Sequence, residues 1–92
     1  MKITINKWQP YQKNTLQGFL DITIDDIGLA IQGVCYHMRP DGKKWVSMPS
    51  KTYQLDGITK YKPLISFPDT DAYWQFCNAV FDAIKAWKVA RA

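Results

Sequence analysis

His37 is the single histidine of the chain, and Cys35 stands two residues before it. On a β-strand, residues at i and i+2 share a face, so this spacing would present an imidazole and a thiol together. A metal site needs three or four converging donors, and the other thiol, Cys77, lies far along the chain with no second histidine to join it. No metal site is expected. Glutamate is absent altogether, which removes half the usual supply of general acids and bases. Asp25 and Asp26 are adjacent in what reads as a turn, so their carboxylates diverge rather than share a proton. Neither GxxxxGK[ST] nor GxGxxG occurs, so the glycine-rich phosphate cradles are missing. These residue types argue against an enzyme: no catalytic residues, no cofactor and no small-molecule substrate are expected.

What remains is binding. Lys43, Lys44, Trp45, Lys51, Tyr53, Lys60, Tyr61 and Lys62 bring cations and rings together over twenty residues. Lysines neutralise phosphates, and exposed rings stack on unpaired bases. The formal charge of +4 is unevenly spread. Residues 1–20 carry Lys2, Lys7 and Lys13 with no acid. Residues 21–42 set Asp21, Asp25, Asp26 and Asp41 against Arg39, and residues 43–62 set five lysines against Asp56. Two basic blocks around an acidic one suit the steering of an anionic partner. The plainer alternative is that Trp45 and Tyr61 are core and the lysines only solubilise exposed strands. Lys85, Lys88 and Arg91 weigh less, since cations are expected at a helix C-terminus from the dipole alone.

The elements that must position these groups are short and punctuated. Ile3 and Ile5 begin a strand that runs toward Trp8 and stops at Pro10, followed by a polar loop over residues 11–15. Leu16 to Ile24 alternates, with Leu16, Gly18, Leu20, Ile22 and Ile24 on one face and Gln17, Phe19, Asp21 and Thr23 on the other. Asp25-Asp26-Ile27-Gly28 is a turn cluster. Leu29 to Met38 is the next strand, with a bulge or close approach expected at Gly33. Arg39-Pro40-Asp41-Gly42-Lys43 is a turn, and Lys44 to Met48 returns to make a hairpin. Asp56-Gly57 marks a further turn within a polar segment, and Tyr61 to Phe67 reads as an edge strand because it contains Pro63.

Pro68-Asp69-Thr70-Asp71 opens a helix with capping residues and early acids. Tyr73, Phe76, Val80, Ala83, Ile84 and Trp87 recur at helical spacing as a core-facing stripe. Trp74, Cys77 and Phe81 form a second apolar row. That row is the expected interface of a homodimer, with a larger intramolecular core as the alternative. The expected fold is α+β: an antiparallel sheet of four to five strands with one C-terminal amphipathic helix packed on it, one domain over residues 1–92. Ninety-two residues, 47% of them hydrophobic and 14% aromatic, suffice for one core. No apolar run is long enough to span a bilayer and no secretory signal opens the chain. Residence in the cytoplasm follows, with no membrane partner and with Cys35 and Cys77 as buried thiols.

The stretch Lys44-Trp45-Val46-Ser47-Met48-Pro49-Ser50-Lys51 resembles the central signature of the SpoVG (stage V sporulation protein G, or septation protein) family. Phe19-Leu20-Asp21-Ile22-Thr23-Ile24-Asp25-Asp26 resembles that family's preceding strand and turn. Asp56-Gly57, Lys62-Pro63-Leu64 and the closing helix follow in the same order, so the likeness spans roughly residues 16–87. Only Met-Pro-Ser-Lys is specific within it. The resemblance implies a small bacterial, dimeric, regulatory protein that binds DNA or RNA, with Lys51 at the position of a basic residue in nucleic-acid contact. One base follows Ser50 here where the family commonly has two, and the helix is far more aromatic. A weaker likeness, carried by Ile65-Ser66-Phe67-Pro68 and Trp74, is to PC4-type single-stranded DNA-binding coactivators. The expected function is nucleic-acid binding through Lys43, Lys44, Trp45, Lys51, Tyr53, Lys60 and Lys62. The alternative is a protein–protein adaptor, phage- or element-encoded, that uses the apolar helix row.

Overall fold

The computed structural model describes residues 1–91, with side chains through Lys88. Six strands precede one helix: β1 (Ile3–Lys13), β2 (Leu16–Ile24), β3 (Leu29–Met38), β4 (Lys44–Ser47), β5 (Ser50–Leu55), β6 (Ile58–Pro63) and α1 (Thr70–Arg91). The first four form an antiparallel meander in sequence order, and β5 and β6 pair only with each other. The fold is therefore α+β with the helix on the sheet, as expected, but the strands divide into a sheet and a separate ribbon.

Two of the three meander connections show their local cause directly. Asn14, at φ 54°, turns β1 into β2, a conformation that asparagine tolerates through its short polar side chain. Between β3 and β4 the Gly42 N–H donates to the Arg39 carbonyl at 2.9 Å, and the Asp41 carboxylate accepts from the Lys43 N–H at 2.9 Å. β1 runs three residues past the expected stop at Pro10. It is an edge strand of the sheet, so the missing proline N–H interrupts no ladder on that side. Gly33 (φ 79°) sits at the expected bulge, where the β2–β3 register shifts and the Gly33 N–H donates to Asp21 at 3.1 Å.

The core lies between one sheet face and the helix. Leu20, Ile22, Val34, Val46, Phe76, Cys77 and Val80 are fully buried, each contributing about 1.5–3 kcal/mol of transfer free energy where the side chain is a large aliphatic or aromatic. Asp69 caps the helix: its carboxylate accepts from the Ala72 N–H at 2.7 Å. The Tyr73 hydroxyl donates to the Val46 carbonyl at 2.6 Å, tying the first helical turn to β4. Gly18 admits the indole of Trp8: a Cβ there would land on the Trp8 ring and 2.6 Å from the Gln9 carbonyl oxygen.

The helix row, the strand over residues 61–67 and Cys35 each differ from expectation. The row Trp74, Cys77 and Phe81 is not a continuous surface. Cys77 is enclosed within the chain, and Phe81 is half-buried, 6.2 Å from the Tyr36 ring, with the Lys44 ammonium 4.7 Å above it. Cys77 and Phe81 face the sheet together with the first row, and Trp74 alone of the three is exposed. The expected strand over residues 61–67 is instead the β6 strand over 58–63. Ile65 and Phe67 lie in an irregular segment and pack against the edge of the core. The cysteines are both free, and Cys35 is only half-buried; it shares its sheet face with Phe19 and Ser47, away from the helix.

Candidate nucleic-acid interface

Every residue of β5 and β6 is exposed, and the ribbon packs against neither the sheet nor the helix. A compact domain of this length has a radius of gyration of about 12 Å. Here it is 14.1 Å, with extents of 48 × 31 × 23 Å, because the ribbon projects. Its tip is a two-residue turn with Asp56 at φ 53° and Gly57 at φ 77°. Positive φ at both corners is the hairpin turn that follows the natural strand twist, and Asp-Gly is a preferred pair for it.

Register decides what the ribbon presents. Lys51 pairs with Lys62, Tyr53 with Lys60 and Leu55 with Ile58. Paired residues and their i±2 neighbours share a face, so three lysines and a tyrosine line one side, with two aliphatic residues at its outer end. The other side carries Ser50, Thr52, Gln54, Thr59, Tyr61 and Pro63. Among the described residues the one ion pair is Arg39–Asp41, at 3.3 Å, so no carboxylate neutralises the three ribbon lysines. Like charges directly opposite one another destabilise a ladder, and an isolated two-stranded ribbon is marginal to begin with. An anion laid along this face relieves that repulsion.

The other predicted residues lie elsewhere. Lys44 shares the helix side of β4 with Val46 and rests over Phe81. Trp45 is on the opposite sheet face, half-buried, with its ring parallel to that of His37 at 5.1 Å and 2°. His37 is pinned by hydroxyls at both nitrogens, Thr15 at Nδ1 (3.0 Å) and Ser47 at Nε2 (3.1 Å). Partial burial holds its pKa below 6.5. A neutral ring carries one N–H and one lone pair, which two hydroxyls can match in either tautomer. Lys43 is exposed in the β3–β4 turn. The structure thus brings Lys51, Tyr53, Lys60 and Lys62 together and separates from them both the side of Lys44 and the face of Trp45. Tyr61, read from the sequence as possible core, is 70% exposed on the second face of the ribbon.

No group of three or more potential metal ligands occurs among the described residues, and no helix among them is long and apolar enough to cross a membrane. No protein-family model, curated protein or solved structure matches the chain.

Proposed function

We propose that the protein is a regulator that binds nucleic acid, DNA or RNA, by laying the basic face of its β5–β6 ribbon along a phosphate backbone. The carrying observation is the register Lys51–Lys62 and Tyr53–Lys60, which lines three uncompensated cations along a projecting ribbon. Lys51, Lys60 and Lys62 supply the electrostatic term, and Tyr53, 45% exposed among them, supplies a ring for sugar or base contact. β-Ribbons are a recurrent way of entering a nucleic-acid groove. The likeness of residues 44–51 to the sporulation-protein family favours the same ligand class, with Lys51 at the position of a basic residue in nucleic-acid contact. Lys43 is exposed in the β3–β4 turn, outside the ribbon face, and Lys44 is partly committed to Phe81.

The experiment is fluorescence polarisation with single-stranded and duplex oligonucleotides at two salt concentrations. Affinity falls as salt rises if phosphates are the contact. Salt-insensitive or absent binding refutes the reading and favours a protein partner at the exposed Trp74 and the ribbon tip.

A further inference from the structure

Under the last turns of α1 the helix and sheet leave a hollow of about 160 Å³. β1, β2 and β3 form its floor and α1 its roof. Trp8 and Tyr36 meet edge-on within it, their centroids 6.3 Å apart at 60°, and Trp87 and Ile84 close it from above. Trp8 reaches over Gly18, where an added Cβ would meet the outer edge of its indole, so the glycine makes room for the ring. A cavity of about 150 Å³ with apolar walls admits a benzene-sized ring, so this one holds a single planar ring system.

The mouth is polar. Gln12 and Gln17 border it from β1 and β2, and Lys88 from the helix. One Gln17 N–H is engaged by the Thr15 carbonyl at 3.2 Å, which orients the amide and leaves its oxygen free to accept. Lys88 is bound to no carboxylate among the described residues. Aromatic walls, an amide edge and one cation at the rim match a flat heterocycle with donors and acceptors along its edge and an anionic tail. Apolar pockets with a few placed polar groups are the usual form of a small-ligand site, and glutamine amides pair with the edges of nucleobases.

We propose that this hollow binds a nucleotide, its base against Trp8 and Trp87, its ring edge on Gln12 and Gln17 and its phosphate at Lys88. The same chemistry is offered by a free nucleoside monophosphate and by an unstacked base of a bound strand. Only the second source rests on the ribbon reading above.

The test is titration of the intact chain with AMP, GMP, CMP and UMP, followed by tryptophan fluorescence and by thermal melting. Saturable quenching with a raised Tm is expected from at least one of them. The parent nucleoside should bind about fivefold more weakly, the scale of one exposed charge contact, and ribose 5-phosphate should not quench. Lys88→Ala should erase the preference for nucleotide over nucleoside. Met38→Trp, on an exposed wall of the hollow, should fill it and abolish quenching while the protein melts cooperatively. Absence of any quench or Tm shift up to the solubility limit overturns the proposal, as does unchanged binding in Met38→Trp. An oligonucleotide that displaces the mononucleotide identifies a strand's own base as the occupant; one that binds without displacing it identifies a free nucleotide. Lys51→Ala with Lys62→Ala separates the two sites. Loss of oligonucleotide binding with mononucleotide titration intact upholds both, and mononucleotide binding without any oligonucleotide binding leaves the hollow standing and the ribbon reading refuted.

Discussion

Replacing Lys51 and Lys62 together by alanine removes the directly opposed pair at the root of the basic face and leaves Lys60 beside Tyr53. Three phosphates engaged give a log–log salt slope of about −2.7 on a duplex and about −2.1 on a single strand. Between about 50 and about 200 mM salt, affinity then falls roughly 40-fold or roughly 20-fold respectively. With Lys60 alone the slope shrinks to about −0.9 or −0.7, and the same salt step costs only about threefold. Polarisation titrations of wild type and double variant at the two salt concentrations read these slopes directly. The variant should fold at least as well as the parent, because the like-charge pair it removes destabilises the ladder by about 0.2–1 kcal/mol. Urea unfolding checks that the change is not a loss of structure. A slope that stays the same in the double variant would refute the argument, since it would mean that the phosphates are met elsewhere.

Lys44→Ala should change oligonucleotide affinity far less than Lys51→Ala and should lower stability by about 0.5–1 kcal/mol through loss of the cation over Phe81; paired binding and urea curves test both halves. Gly18→Ala overpacks the Trp8 and Gln9 contact and should cost about 1–3 kcal/mol, a fall in Tm of about 4–8 °C per kcal/mol. Burial, with the Cys77 thiol alongside, pushes the Tyr73 hydroxyl up to about 12 from 10.0. Its contribution to stability is whole below pH 10 and is lost as pH climbs toward 12, because the unfolded chain ionises first. Tyr73→Phe should weaken the fold at neutral pH by about 0.5–1.5 kcal/mol for the lost hydrogen bond and flatten the alkaline decline in a pH series of melts. His37 runs the other way: its depressed pKa means that the unfolded chain takes up a proton first as pH falls through 6.5, so stability drops there. His37→Gln should remove that step from urea midpoints measured across it.

Where a residue's face is buried, the sequence was readable. The alternation of Leu20, Ile22 and Ile24 in β2, the Pro40-Asp41-Gly42 turn and the capped start of α1 all appear at their expected places, because each is dictated by neighbours within a few residues. β5 escaped for the opposite reason. Solvent bathes both faces of Ser50–Leu55, so no core demands a two-residue pattern and its Lys-Thr-Tyr-Gln run reads only as part of a polar segment. From the sequence, Pro63 marks an edge strand that continues to Phe67. It ends β6, just before the Leu64 N–H closes the ribbon root on the Pro49 carbonyl at 3.1 Å.

Composition and spacing alone determined that the chain is rich in lysines and rings and carries one histidine and no glutamate. They also determined that it forms a strand meander followed by one amphipathic helix. Tertiary structure decided which lysines stand together. Only pairing of β5 with β6 sets Lys51 against Lys62, and only the path of the helix lays Lys44 on Phe81 and encloses Cys77. Charge is a property of residues one at a time, whereas a surface that grips a polyanion is a property of register, which no local stretch of sequence contains.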